Sequence, residues 1–200
     1  MTSALHEARL EAVRDVILAA RARSVLDLGC GDGALLALLV ADPSIERLVG
    51  LDVSLEALAL ARERLGAAAA PGGRVGLLHG SFAQPDPRLA GFAAATLVET
   101  IEHVAPEQLS AVEHAVFGCW RPGTVVVTTP NRDYNELLGV PAHRHRHPEH
   151  RFEWGRERFA TWARGIAVRR GYAVRLGDLG PCHPERGGPS QIATFTRPPA

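Results

Sequence analysis

Apolar positions recur at helical spacing over about residues 5–22, where Leu10, Val13, Ile17 and Leu18 share a face. They then close up into Ser24-Val25-Leu26-Asp27-Leu28, a run that predicts a short buried strand. A glycine turn, Gly29-Cys30-Gly31-Asp32-Gly33, follows at once, and Ala34–Val40 reads as helix, Arg47–Asp52 as strand and Leu55–Leu65 as helix again. Residues 66–73 form a Gly/Pro/Ala loop, Val75–Leu78 a third strand and Ala93–Val98 a fourth. Pro106–Phe117 predicts a helix, Arg121-Pro122-Gly123 a turn, and Thr124–Thr128 a fifth strand of β-branched residues. Strand and helix alternating in this way call for an α/β fold, a mostly parallel central sheet with helices on both faces. Residues 130–152 lose all hydrophobic period, and an insertion of that length in a compact domain is more often functional than ornamental. Helical spacing resumes at Phe159, Trp162 and Ile166, and Tyr172–Leu176 with Gln191–Thr196 predicts an antiparallel C-terminal edge pair.

Composition narrows this picture. Two hundred residues with a hydrophobic fraction of 46% suit a single domain, residues 1–200, carrying an insertion at about 130–158. Lys+Arg and Asp+Glu are equal at 22 each, so no overall positive field draws in nucleic acid or an anionic membrane. Two oddities sit inside that neutral total: every basic residue is Arg, and His143, His145, His147 and His150 crowd into one short tract. Cys30, Cys119 and Cys182 are odd in number and form no CxxC pair, which suggests neither a disulfide framework nor a thiolate zinc site. The N-terminus mixes acids with its apolar residues, unlike a secretory signal, and the apolar run Ala34–Ala41 is far short of the roughly 18 residues a membrane span needs. A soluble, cytoplasmic protein in a reducing compartment is expected.

The glycine turn carries the first candidate chemistry. Asp27-x-Gly29-x-Gly31-x-Gly33 lies directly between a strand and a helix, and a second acid, Asp52, ends the next strand. A dinucleotide site would prefer GxGxxG, and Asp27 stands where a pyrophosphate would be repelled, so a cationic or zwitterionic ligand is the better match. LDLGCGDG resembles motif I of the class I S-adenosylmethionine-dependent methyltransferases, which have a Rossmann-like fold. The resemblance implies that Asp27 lies near the methionine amino end of the cofactor, that Gly29 and Gly31 line its path, and that Asp52 takes the ribose hydroxyls. Gly80-Ser81-Phe82 resembles the segment that often flanks the adenine, placing Ser81 and Phe82 in the cofactor site. Cys30 is a small filler of the turn.

Past the fourth strand the chain reads Glu99-Thr100-Ile101-Glu102-His103. If this stretch is helical, Glu99, Glu102 and His103 lie at i, i+3 and i+4 on one face, and two carboxylates with an imidazole would repel unless a cation sat between them. Oxygen and nitrogen donors without thiolate favour a divalent ion such as Mn²⁺ or Mg²⁺, with Zn²⁺ also compatible. Two more tracts follow, Thr129-Pro130-Asn131-Arg132-Asp133-Tyr134-Asn135 and His147-Pro148-Glu149-His150-Arg151-Phe152-Glu153-Trp154. The ordered set ExxEH, TPNxxxN and HxxHxFEW after motif I resembles the small-RNA 3′-terminal ribose 2′-O-methyltransferases. That family acts on plant microRNAs and animal piwi-interacting RNAs, and in bacteria on RNA ends under repair. The resemblance implies a divalent metal, Mn²⁺ by preference, held by Glu99, Glu102, His103 and His150. His147 matches a less consistent position, while His143 and His145 match none. The sequence departs from the pattern at Glu149 for the usual Asp, Asp133 for the usual Glu, and Gly155 for a common Thr, the last of which weakens a helix cap and leaves the start of the next helix open.

The implied reaction moves a methyl group from a sulfonium to the 2′-hydroxyl of a terminal ribose, with the metal binding the 2′ and 3′ hydroxyls and so demanding a free 3′ end. Glu99, Glu102 and His103 are the catalytic group, with His103 or a metal-bound water as proton acceptor. RNA phosphates could be met locally by Asn131, Arg132, Arg144 and Arg146, whereas Phe152, Trp154 and Trp162 read as core aromatics. Two other readings fit part of the pattern: a small-molecule O-methyltransferase that uses a metal to activate vicinal hydroxyls, and a non-catalytic subunit binding RNA ends or the cofactor. Bacterial members often carry an additional N-terminal domain and work with an RNA end-healing and ligation protein, a partner the resemblance extends to this chain. Oligomeric state is open.

Overall fold

Val25, Leu26 and Leu28 are completely buried, as a strand covered on both faces requires, and they lie in β1 (Ser24–Leu28) near the middle of a seven-stranded sheet. The computed structural model describes residues 4–198. Its chain runs α1 (Ala4–Ala19), β1, α2 (Ala34–Val40), β2 (Arg47–Asp52), α3 (Leu55–Leu65), β3 (Val75–His79), β4 (Ala94–Val98), α4 (Leu109–Glu113), β5 (Thr124–Pro130), α5 (Arg156–Arg170), β6 (Ala173–Leu179) and β7 (Ser190–Thr196). The strands are ordered β3-β2-β1-β4-β5-β7-β6. The first five are parallel, and β7 pairs antiparallel with both β5 and β6, so the expected antiparallel pair forms one end of the sheet with β6 outermost.

Two apolar layers cover the sheet. Leu10, Val13 and Ile17 of α1 pack with Leu35, Leu36 and Leu39 of α2 and Leu58 and Ala61 of α3 on one face. On the other, Val112, Phe117, Trp120, Phe159 and Ile166 meet Phe195, and Phe152 stacks on Trp154 at 4.3 Å between ring centres. The aromatic residues of the FEW tract are therefore core, as expected. Cys30 is buried in the glycine turn, and burial raises its thiol pKa far above the usual range, which fits an inert filler.

The structure corrects the sequence expectations in three places. Glu99, Glu102 and His103 do not share a helical face: Glu99 follows β4 at φ 52°, in the left-handed region, and only Ile101–His103 coil, in a single 3-10 turn. The helix expected over Pro106–Phe117 opens with a 3-10 turn at Pro106–Gln108 and widens into a π-helical run, His114–Trp120, after α4. The N-terminus of α5 has a cap after all, because Asp133 Oδ2 accepts the Arg156 amide at 2.9 Å. The departures at 133 and 155 are thus linked. A β-carbon on Gly155 would fall 2.4 Å from Asp133 Oδ1, so the missing Thr is what lets Asp133 reach the helix end.

Candidate active site

The carboxyl ends of β1, β2, β4 and β5 point to one rim of the sheet, where ligands of open α/β sheets bind. At that rim, Gly29 and Gly31 take φ of 79° and 53°, a region that suits glycine. Gly29 has a second reason to lack a side chain, since a β-carbon there would meet Thr100 Cγ2 at 2.3 Å. The Gly31 amide donates to Asp52 Oδ2 at 2.9 Å and the Ser54 amide to Asp52 Oδ1 at 2.9 Å. Asp52 is thereby fixed at the strand end, and each oxygen keeps a lone pair for a further donor.

Gly29, Gly31, Asp52, Ser81 and Phe82 line a cleft of about 560 Å³ together with Glu99, Thr100, His103 and Glu149. Asp27 lies behind it, 2% exposed, accepting the Thr96 hydroxyl at 2.8 Å. Burial pushes its carboxyl up to about 7, the Thr96 bond pulling the other way and Asp52 adding to the rise.

Between Glu99 and His103 in the chain, Glu102 is fully buried. Its Oε2 accepts the Thr129 hydroxyl at 2.9 Å, and its Oε1 has no hydrogen-bond partner among the described residues. One donor atom each from Glu102, His103 and His150 falls within 4.8 Å of the others. The insertion is tied to this point by the Arg151 amide, which donates to the Glu102 carbonyl at 2.7 Å. Burial and the neighbouring Glu99 hold the Glu102 carboxyl well above the usual range. Partial desolvation, with His150 and His147 close by, lowers the pKa of His103. An orphaned buried carboxylate oxygen beside two imidazoles is an arrangement that a divalent cation would satisfy, and these donors suit one.

Glu99 stands next to that group without entering it. Its Oε1 accepts the Thr128 hydroxyl at 3.0 Å, and its Oε2 pairs with Arg9 of α1 at 3.2 Å. Burial raises its pKa, which Arg9 partly offsets. The other clustered histidines divide: His147 brings its ring centre to 5.9 Å from that of His103 and 5.5 Å from that of His150, and the His145 ring contacts the His150 carbonyl. His143 is exposed.

Two residues expected to meet RNA are committed internally. Asn131 is completely buried, and its amide donates to the Arg186 and Gly188 carbonyls at 2.8 Å each. The Arg146 guanidinium donates to Asn135 Oδ1 and to the Pro189 and Asn131 carbonyls, which ties the insertion to the ends of β5 and β7. Both amide hydrogens of Asn131 are used, and Nε, Nη1 and Nη2 of Arg146 each make an internal bond, whereas Arg132 and Arg144 are exposed.

Comparison with known proteins bears on what this rim does. Residues 25–123 match the family model described as a methyltransferase domain. A small RNA 2′-O-methyltransferase of Mus musculus is 38% identical over 203 residues, covering 96% of this chain and 51% of that protein. The crystal structure of the methyltransferase domain of bacterial CtHen1 superposes with a TM-score of 0.87 at 40% identity, over 96% of this chain and 99% of that one. The chain belongs to the small-RNA 2′-O-methyltransferase family. The structure of the small RNA methyltransferase HEN1, at 31% identity and a TM-score of 0.88, matches 98% of this chain with 27% of its own length. The chain spans about half the length of the mouse family member.

Within this family fold, three side chains that motif spacing did not single out for the site turn out to support it. Arg9 comes from α1, far upstream, and shows only as one polar position on an amphipathic helix. Asn135 and Glu153 were visible as letters of TPNxxxN and HxFEW, but only the fold places Glu153 beside His150 and Asn135 beside Glu153.

Proposed function

We propose that this chain transfers a methyl group from S-adenosylmethionine to the 2′-hydroxyl of the 3′-terminal ribose of RNA, in a site that holds a divalent metal, Mn²⁺ by preference. The observation that carries the reading is one cleft lined both by Gly29, Gly31, Asp52, Ser81 and Phe82 and by Glu99 and His103. A methyl donor held by the first set and an acceptor held by the second would share that cleft, as transfer between them needs.

On the cofactor side, Asp52 receives ribose hydroxyls, the backbone at Gly29 and Gly31 lets the donor pass closely, and Ser81 and Phe82 border its base. Asp27 answers its methionine ammonium from behind the wall. On the acceptor side, Glu102, His103 and His150 hold the metal, with Glu99 as the fourth ligand, exchanging its contact with Arg9. When bound, the ion supplies Lewis acidity and a template for the two terminal hydroxyls. Partial desolvation pushes the pKa of His103 down, which favours the neutral imidazole that a ligand or a proton acceptor needs. The insertion at about 130–158, part of one methyltransferase domain, presents Arg132 and Arg144 to the RNA end. Through the family we also propose a partner that heals and ligates RNA ends. A cytoplasmic setting accords with three free cysteines and with the lack, among the described residues, of any helix long and apolar enough to cross a membrane.

The test uses labelled methyl donor and Mn²⁺ with RNA ending in 2′,3′-hydroxyls, and the same RNA with a 2′-deoxy end. Label should enter the first alone and only with metal. Labelling of both or neither overturns the reading, and labelling of a small vicinal diol in place of RNA would move the substrate class.

A further inference from the structure

Glu153 is the one acid of the HxFEW tract, and it sits in the interior with a fully buried side chain. Its Oε1 lies 2.6 Å from His150 Nδ1 and also accepts the Arg146 amide at 2.7 Å, while its Oε2 accepts the Asn135 side-chain amide at 2.6 Å. Asn135 is held in turn by the Arg146 guanidinium, which bonds the carbonyls of Asn131 and Pro189. Asn131 is pinned between the Arg186 and Gly188 carbonyls. The two asparagines of TPNxxxN and the glutamate of HxFEW thus form one connected structure ending at a single imidazole nitrogen. A carboxylate so well supplied with donors is held in one orientation.

We propose that Glu153 is a positioning residue for the metal site: by accepting a hydrogen bond from His150 Nδ1–H it fixes the ring's orientation and tautomer, leaving Nε2 as the nitrogen free to bind the cation beside Glu102 and His103. This rests on the metal reading above. An imidazole whose second nitrogen donates to a carboxylate is a better ligand, and losing that partner typically weakens metal binding about 10- to 100-fold. A role confined to stability would leave both tautomer and metal affinity untouched in protein that stays folded.

Mn²⁺ affinity is measured by the electron paramagnetic resonance signal of the free ion, for wild type, Glu153→Gln and Glu153→Ala, each checked for folding by thermal melt. Glu153→Ala should bind Mn²⁺ about 10- to 100-fold more weakly and recover methyl transfer at high Mn²⁺. Glu153→Gln should fall between, since its amide oxygen still accepts the ring proton, and S-adenosylmethionine affinity should be unchanged in both. Equal Mn²⁺ affinity in all three proteins overturns the inference while leaving the metal reading intact, whereas a wild type that takes up no Mn²⁺ overturns both. Should Glu153→Ala not fold, long-range ¹H–¹⁵N spectra of metal-free wild type at alkaline pH decide the matter, with His150→Gln to assign the signal. A proton on Nδ1 supports the proposal, and a proton on Nε2 overturns it.

Discussion

Asp27 keeps its carboxyl behind the cleft wall with Thr96 as its donor, and burial there raises its pKa from 3.8 to about 7. The folded protein therefore binds a proton more tightly than the unfolded chain does. The stability this group contributes is complete below about pH 3.8, declines as pH rises, and is gone above about 7. Asp27→Asn imitates the protonated form and still accepts from Thr96. The variant should gain on wild type between pH 4 and 7 by up to roughly 3–4 kcal/mol and hold a constant lead beyond, read by denaturant unfolding across that range. A difference that does not change with pH would show that this carboxyl is not the buried acid described. At this scale the motif residues were legible because their chemistry is local to a strand end or a turn. Arg9 was not, since nothing in an amphipathic helix says which polar position turns inward, and the internal bonds of Asn131 and Arg146 were not legible because an unperiodic tract gives no sign of burial.

Among the elements, the start of α5 shows how one departure answers another. A helix beginning at Gly155 has no cap from its own residue, and Asp133 provides it across the insertion. Asp133→Ala should cost about 1 kcal/mol, measured by denaturant midpoint. Gly155→Thr should lower stability in the wild-type background, where the new β-carbon strikes the Asp133 carboxylate, and restore part of the loss in the Asp133→Ala background, where the space is free. Additive effects of the two changes would sink this account. The strand and helix boundaries of the first half follow the sequence pattern closely because each buried run is short and bounded by glycine or polar residues. ExxEH misled because i, i+3, i+4 spacing is also met by a strand end followed by one 3-10 turn, and only the backbone at Glu99 distinguishes the two.

For the molecule as a whole, equal numbers of acids and arginines first weighed against a nucleic-acid partner. A site that grips only a terminus needs few phosphates, and the two candidate arginines of the insertion left exposed are Arg132 and Arg144. With about two contacts on single-stranded RNA, log affinity should fall against log salt with a slope of roughly −1.4, and Arg132→Ala or Arg144→Ala should each reduce that slope by about 0.7. Fluorescence anisotropy over a salt series checks this, and a slope several times steeper would mean that RNA runs over much more of the surface. The parallel sheet and its antiparallel C-terminal pair were legible, but the strand order was not, for the place of β7 between β5 and β6 depends on contacts far apart in sequence. The reach of Arg9 to Glu99 has a consequence for how such domains can be recombined. The shared methyltransferase core is matched from residue 25 onward, yet one partner of the acceptor-side carboxylate lies upstream of that point. A chimera joined at the core boundary would keep the strands of the sheet and lose the guanidinium that pairs with Glu99. The helix before the first strand has to travel with the acceptor half, although in sequence it stands beside the donor half.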